Sequence, residues 1–199
     1  FGLIGVKAVC AALSRPLCTL RVLKCDNNPG IGTETVARRA EVQDGDKDSK
    51  DCSEDAVHNH LANLLRAGSL LSTLSSTSGL LSLSIAKCKL GDVGFIQLCK
   101  GLATNHSLTK LDLGYNGAGA EGCRALASAL TQGGAPDLTT LVLRMNNAGP
   151  DGGIAIASAL QARSTLHFEL DLCSNKIGHL GAVAAASIPG IGDLNIMDY

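Results

Sequence analysis

Leucine and isoleucine recur along the chain at the fixed positions of a repeating pattern. The clearest copy starts at Leu108 and reads L-x-x-L-x-L-x-x-N-x-A-G-x-x-G through Gly122. Matching copies start at Leu80, at Leu138 and at position 167, where His167 replaces the first leucine, so successive copies are 28, 30 and 29 residues apart. A period near 29 residues predicts an array of stacked supersecondary units.

Each copy predicts a short strand followed by a helix. The L-x-L segment alternates inward and outward side chains, as a strand does, and the alanine-rich stretch after it has apolar residues at helical spacing. An asparagine between them suits a buried turn, because its amide both donates and accepts hydrogen bonds. We assign this structural role to Asn28, Cys88, Asn116, Asn146 and Asn175. One unit cannot bury its own apolar face, so we expect the units to stack into a solenoid.

The pattern resembles the leucine-rich repeat proteins, and its period with a full helix is similar to the ribonuclease-inhibitor-like type. The resemblance covers residues 1–40 and 76–199. It implies an α/β fold, a leucine-rich repeat solenoid shaped like a horseshoe, with a parallel β-sheet on the concave face and helices on the convex face. Partial copies begin at Leu20 and Ile191, and residue 1 falls inside a repeat, so we expect the natural chain to extend upstream.

The repeat lapses in the middle of the chain, which divides it into three segments. We assign leucine-rich repeats to residues 1–40 and 80–199, and an acidic insertion, a helix and a connector to residues 41–79. The stretch 41–55 has seven acidic and two basic side chains, a net charge of -5, which favours a solvated loop. Its acidic spacing imitates a calcium-binding loop, but Ser49 stands where that loop needs glycine. Calcium binding and weak cation attraction are the alternatives to a plain loop.

The amino-acid composition limits the classes of partner that the chain can bind. The chain has 17 Lys+Arg against 18 Asp+Glu and only 3% aromatic residues. Near-neutral charge argues against nucleic acid as a partner, because binding to the phosphate backbone needs a positive field. No apolar run approaches the roughly 18 residues of a membrane span, so we expect no direct membrane insertion.

The eight cysteines include no C-x-x-C pair, which argues against a structural zinc site. We expect buried, reduced thiols and therefore an intracellular, reducing compartment, either the cytoplasm or an organelle whose targeting segment has been removed. The sequence has no phosphate-binding loop, and Gly117-x-Gly119-x-x-Gly122 belongs to a repeat turn rather than to a dinucleotide site. We expect no metal, no cofactor, no catalytic residue and no enzymatic activity.

With catalysis and cofactor binding not indicated, the remaining function is binding of another protein through the surface. The repeat register points one set of side chains outward from the sheet, and the residues with binding character are Tyr115, Val142, Arg144 and Met145. Aromatic and arginine side chains dominate binding energy at protein interfaces. The neighbouring charges are Lys110, Asp112, Glu169 and Asp171. Either this set forms a docking face for other proteins, or the charges form cross-strand pairs on an ordinary solvated sheet.

We therefore expect a non-catalytic protein–protein interaction scaffold. A solenoid needs capped ends, and the two ends of this array show no cap in the sequence. Either chain outside this sequence or another subunit must cover these ends, and we expect an accessory or structural subunit of a larger assembly. Two alternatives follow from the resemblance: a regulator of an enzyme, like family members that inhibit ribonucleases or activate small GTPases, or the sensor repeat domain of a larger receptor.

Overall fold

A computed structural model of the chain describes residues 21–27, 79–163 and 167–197. Within these ranges strands and helices alternate after β2, one strand and one helix to each repeat. The elements are β1 (Val22–Lys24), β2 (Ser82–Ser84), α1 (Gly91–Leu102), β3 (Lys110–Asp112), α2 (Ala120–Thr131), β4 (Thr140–Val142), α3 (Gly149–Gln161), β5 (Phe168–Asp171), α4 (Gly178–Ala186) and β6 (Ile191–Asn195).

The strands form one parallel sheet in the order in which they occur in the chain. The leucines that open the L-x-L segments pair in register along it, in the series Leu23, Leu83, Leu111, Leu141, Leu170 and Leu194. Each strand is therefore one rung of a ladder, and the predicted α/β leucine-rich repeat solenoid is confirmed.

The core lies between the sheet and the layer of helices. Leu111, Leu141 and Leu170 of the strands are at most 2% exposed. The helices pack each against its neighbour, and small residues set the spacing. A Cβ placed on Gly152 of α3 would lie 3.1 Å from the Cβ of Cys123 in α2, which is closer than ordinary van der Waals contact. Glycine at this position lets the two helices approach closely.

Buried asparagines join successive rungs. We call Asn116, Asn146 and Asn175 the asparagine ladder; each is at most 7% exposed. The Asn146 amide donates to the carbonyl oxygens of Leu143, at 2.7 Å, and of Leu113 in the preceding repeat, at 3.1 Å. Its oxygen accepts from the backbone N–H groups of Asn116, at 3.2 Å, and of Ala118, at 3.0 Å. One side chain thus satisfies four buried backbone groups from two repeats.

Cysteine takes the same position one repeat earlier. The Cys88 thiol lies 3.2 Å from the carbonyl oxygen of Cys25 and 3.3 Å from that of Ala86, and donates to them. Cys88, Asn116, Asn146 and Asn175, to which the sequence assigns the turn role, lie in the segments between a strand and the following helix. Asn28 lies outside the described residues, as do most of the two segments 1–40 and 41–79, including the acidic stretch.

One copy departs from the leucine pattern at its first position. His167 aligns with the first leucine of the other copies, but it is exposed and has a φ of 59°. Phe168 is 2% exposed and occupies the core instead. The pairing of β5 with β6 shifts register between Phe168 and Leu170. The Phe168 ring fills the core position that the first leucine occupies in the other copies. His167, one residue earlier, is therefore exposed.

A carboxylate holds two helices together at their N-terminal ends. Asp92, in the first turn of α1, accepts hydrogen bonds from the backbone N–H groups of Gly119, at 2.6 Å, and Gly122, at 2.8 Å. These donors belong to the N-terminus of α2, which carries the positive end of the helix dipole and leaves N–H groups without a partner inside the helix. Asp92 therefore caps the helix of the next repeat.

The described cysteines form no disulfide with one another. Cys25, Cys88, Cys99 and Cys123 are buried, and Cys173 is half-buried. Burial in the apolar core, assisted by the nearby Cys123, raises the pKa of Cys99 to about 12. Burial also raises the pKa of Cys123 to about 12, with Asp92 as the second cause. Such thiols stay protonated and behave as small apolar side chains.

Candidate functional site: the concave face

The outward side chains of the sheet form the concave face, and they differ from rung to rung. On β3 they are Lys110, which is exposed, and Asp112, which is half-buried. On β4 they are Thr140 and Val142, both half-buried. Glu169 on β5 is exposed and Asp171 is half-buried. The structure thus places these predicted residues of three consecutive strands on one continuous surface, as the repeat register indicates.

Tyr115 lies beneath two cations near the carboxyl ends of the strands. The Nζ of Lys87 lies 4.9 Å from the centre of the Tyr115 ring. The guanidinium carbon of Arg144 lies 5.5 Å from the same centre. Both distances are in the range of cation–π attraction. We call Lys87, Tyr115 and Arg144 the cation–aromatic cluster; it joins three consecutive repeats.

A glycine leaves room for the arginine of this cluster. A Cβ placed on Gly114 would lie 3.1 Å from the Cγ of Arg144 and 3.3 Å from a carboxylate oxygen of Asp112. The aliphatic stem of Arg144 therefore lies directly across the backbone of the neighbouring turn. The guanidinium at the end of this stem lies over the Tyr115 ring.

Lys87 was not among the residues predicted from the sequence. It stands immediately before the turn residue Cys88, as Tyr115 stands before Asn116 and Met145 before Asn146. All three have positive φ, 57° for Lys87, 59° for Tyr115 and 55° for Met145. The alternation of a strand gives no direction for a side chain in this left-handed conformation. The signal that could have found Lys87 is its alignment with Tyr115 in the repeat.

Apolar surface borders the cluster. Met145 is 46% exposed and Tyr115 is 37% exposed, and Val142 on β4 is half-buried. Of the candidates, Val142 therefore lies on β4, Arg144 and Met145 follow β4, and Tyr115 follows the neighbouring strand β3. Together they give a small apolar surface with an adjacent positive charge, the mixture that is enriched at binding hot spots.

An acidic cleft lies on the same face, farther along the array. It has a volume of about 440 Å³, and strands β4, β5 and β6 line it. Its three acidic residues are Glu169, Asp171 and Asp193, and its neutral polar residues include Thr140 and Asn195. The Thr140 hydroxyl donates to the Glu169 carboxylate at 2.8 Å. The Asp171 carboxylate accepts from the backbone N–H of Cys173 at 3.0 Å.

The cross-strand ion pairs offered as one interpretation do not form. Within the described part of the chain, Lys110, Arg144, Glu169 and Asp171 make no ion pair with one another. The ion pair between described residues joins Arg124 and Asp151 on the helices, 3.6 Å apart and largely exposed. The charged side chains of the concave face lie too far apart to pair. They are therefore solvated or available to contact a partner.

Two aspartates of the predicted set have a local structural role. A carboxylate oxygen of Asp112 accepts from the backbone N–H of Gly114 at 2.9 Å, and its other oxygen accepts from the Ser84 hydroxyl at 3.4 Å. Asp171 makes the equivalent turn bond to Cys173. Such bonds from aspartate to the backbone two residues on stabilise turns. Asp112 and Asp171 are thus turn residues as well as members of the face.

A second cleft, of about 560 Å³, lies at the opposite ends of the strands, where helices α2 and α3 end. Arg163 lines it and donates to the carbonyl oxygens of Gly134, at 3.2 Å, and of Pro136, at 2.7 Å. Burial of the guanidinium lowers its pKa from the ordinary arginine value. These bonds hold the loop of the preceding repeat, so Arg163 is a structural residue.

The described residues include no group of three or more His, Cys, Asp or Glu side chains that could hold a metal ion. No helix within the described ranges is long and apolar enough to cross a membrane. The concave face can therefore offer cationic, aromatic and anionic contacts to a partner, and its described residues gather no ligand set for a metal.

Comparisons with known proteins agree with this geometry. The Leucine Rich repeat family matches residues 104–127 and 134–157. The solved structure of leiomodin-1 actin-binding site 2 is similar, with a TM-score of 0.57 and 17% identity over 92% of this chain and 84% of that one. The C-terminal domain of tropomodulin from Caenorhabditis elegans gives a TM-score of 0.58 and 14% identity over 91% of both chains. At these identities the likeness concerns the fold alone.

No curated protein matches the chain. The matched residues contain β3, most of α2, β4 and most of α3, in the middle of the described solenoid. The same rung of strand, buried turn and helix recurs on both sides of them, with its leucines in register. The chain is a leucine-rich repeat protein.

Proposed function

We propose that the protein is a non-catalytic interaction scaffold, an accessory or structural subunit of a larger assembly, and that its concave face binds a protein partner. The observation that carries the proposal is the cation–aromatic cluster. Two cations lie over one exposed ring, and neither has an ion-pair partner among the described residues. The cluster therefore presents positive charge and an exposed aromatic ring beside the exposed Met145.

The surroundings of the cluster support the same proposal. Val142, Met145 and Tyr115 provide apolar contact area, and partner binding would remove it from water. The acidic cleft two rungs away provides the opposite charge. Complementary charge on a partner would speed association and fix its orientation on the face. An enzyme regulator, the alternative drawn from the family resemblance, would use this same surface, so the two differ in the partner and not in the site.

One of the similar solved structures suggests a partner to test. The leiomodin-1 structure is that of an actin-binding site. The identity of 17% makes actin a test case for this chain and no more. Sedimentation of the purified protein with filamentous actin gives a direct answer, and the absence of binding leaves other protein partners open.

The experiment that tests the proposal is site-specific photo-crosslinking. A photoreactive amino acid replaces Val142 on the concave face in one variant and Ser158, exposed on α3, in the control. Both proteins are irradiated in native extract. We expect discrete crosslinked proteins from position 142 and not from position 158, and loss of these products when Arg144→Glu is added. Equal crosslinking from both positions, or products from 158 alone, would contradict the proposal.

A further inference from the structure

The charges on the concave face are separated by sign along the array. The cations of the face on the second, third and fourth rungs are Lys87, Lys110 and Arg144 respectively, while the carboxylate of Asp112 is bound to its own turn. Toward the last rungs, the acidic residues of the cleft are Glu169, Asp171 and Asp193. A partner with uniform charge would be attracted at one end of this face and repelled at the other. A partner with both signs in the right order would be attracted at both.

The spacing of the two regions sets the spacing of the partner's charges. Adjacent strands lie about 4.8 Å apart. Tyr115 follows β3, and the cleft is centred on β5 and extends to β6, so the two regions are about two to three rungs, or 10 to 14 Å, apart. An extended chain in the polyproline II conformation advances about 9 Å in three residues and returns to the same side. A β-strand advances about 13 Å in four residues and does the same.

We propose that the concave face binds an extended protein segment that crosses the strands with an acidic side chain at the cation–aromatic cluster and a basic side chain three or four positions away in the acidic cleft. The inference rests on the proposed function and specifies the partner at the same site. The carboxylate of the segment lies near Lys87 and Arg144, and an apolar residue next to it contacts Met145. The ammonium or guanidinium group lies among Glu169, Asp171 and Asp193.

Neutral residues shape the path between these two regions. Thr140 and Val142 line the cleft on β4, which lies between β3 and β5 in the sheet. Neither side chain is charged, so a segment crosses this rung without desolvating a charge, which would oppose binding. Thr140 also keeps the Glu169 carboxylate in place through its hydroxyl.

The test uses displayed random peptides of about ten residues, enough to span the rungs from β2 to β6 in an extended form. Selection on the purified protein is expected to enrich sequences with an acidic and a basic residue three or four positions apart. An enriched peptide is then synthesised in three forms: as selected, with the two charges exchanged, and with the charges two positions apart. We expect the first form to bind roughly tenfold more tightly than the other two.

Charge reversal on the protein identifies which end of the peptide lies where. Arg144→Glu should weaken the selected peptide roughly tenfold, and replacing the peptide's acidic residue by lysine should restore binding. Asp193→Lys should also weaken binding of the selected peptide, and replacing the peptide's basic residue by glutamate should restore it. Asp193 is exposed, so its substitution leaves the fold intact. Lys100→Glu, at an exposed position on α1, makes the same charge change as Arg144→Glu and should leave the affinity unchanged.

Three results would overturn the inference: no enriched peptide, enriched peptides without the two-sign spacing, or equal loss of affinity in the Lys100→Glu control. Photo-crosslinking from position 142 tests the proposed function separately. Crosslinks from that position together with a failed peptide selection would leave a concave binding face whose partner is a folded surface. The absence of both would remove the proposed function as well.

Discussion

The asparagine ladder and the concave face cross the same rungs of the solenoid, one inside and one outside. Inside, Asn116, Asn146 and Asn175 repeat the same hydrogen bonds at intervals of 29 to 30 residues, and each is buried. Outside, the corresponding rungs carry lysine, threonine and glutamate at one position, and aspartate, valine and aspartate at another. The interior is periodic because every rung must satisfy the same backbone groups. The exterior is free of that constraint, so its variation is where specificity can arise.

The largest effect is expected from breaking the ladder. Asn146→Ala leaves the buried N–H groups of Asn116 and Ala118 without the oxygen that accepts from them. It also removes one of the two amide donors to each of the carbonyl oxygens of Leu113 and Leu143. Because a buried unsatisfied group costs about 1 to 3 kcal/mol, the free energy of unfolding should fall by about 3 kcal/mol or more. Urea denaturation followed by circular dichroism measures it.

Asn147→Ala is the matched control, since Asn147 is the adjacent residue and is exposed. Its substitution should change the free energy of unfolding by less than about 0.5 kcal/mol. Equal destabilisation by the two alanines would mean that the amide of Asn146 has no special role.

A smaller effect is expected from the cap that joins α1 to α2. Asp92→Ala removes a carboxylate that accepts from two N–H groups at the N-terminus of the next helix. Caps of this kind contribute about 1 to 2 kcal/mol, and the same denaturation experiment measures the loss. Glu121→Gln, in the exposed first turn of α2, removes a charge without removing a backbone bond. It should cost much less, and a cost equal to that of Asp92→Ala would show that only the helix dipole matters.

Cys88 provides a weaker form of the ladder position. Its thiol donates to two carbonyl oxygens, and sulfur forms weaker hydrogen bonds than an amide. Cys88→Ala should therefore lower the free energy of unfolding by about 1 kcal/mol, clearly less than Asn146→Ala. Thermal unfolding by calorimetry of both variants makes the comparison. A Cys88→Ala variant as unstable as Asn146→Ala would show that packing volume, rather than hydrogen bonding, sets the cost.

The smallest effect on stability is expected on the outer face. Tyr115 has a φ of 59°, a conformation in which glycine is unstrained. In Tyr115→Gly the relief of backbone strain opposes the greater freedom of the unfolded chain, so the free energy of unfolding should change by less than about 1 kcal/mol. The photo-crosslinking from position 142 should nevertheless be lost. Retained crosslinking would show that the cluster is not part of the binding surface.

The sequence predicted the solenoid because its determinants are periodic. The leucines of the strands and the asparagines of the turns recur from copy to copy, and the structure has the leucines in register. The repeat register also indicated that Tyr115 and Arg144 share a surface. Their contact over the ring was not predicted, because it depends on a left-handed turn and on the absence of a Cβ at Gly114.

Features that occur once in the array were not predicted. Asp92 has no counterpart in the next copies, where Ala120 and Pro150 stand at its position, so no repetition signalled that it caps α2. Phe168, rather than the aligned His167, lies in the core, because burial of a large apolar ring is more favourable than burial of an imidazole. The interpretation of the concave charges as cross-strand ion pairs was wrong, because the attraction between charges on exposed strands is weak. Single contacts of this kind depend on three-dimensional packing that a linear pattern does not contain.

Side-chain amide exchange, followed by nuclear magnetic resonance, tests most directly whether buried asparagines join the rungs. The NH₂ protons of Asn116, Asn146 and Asn175 should exchange with water many times more slowly than those of exposed Asn147 and Asn195 in the same sample, because their release requires the array to open. Equal exchange rates for the two groups would contradict the ladder, and with it the stacking of repeats on which the concave face depends.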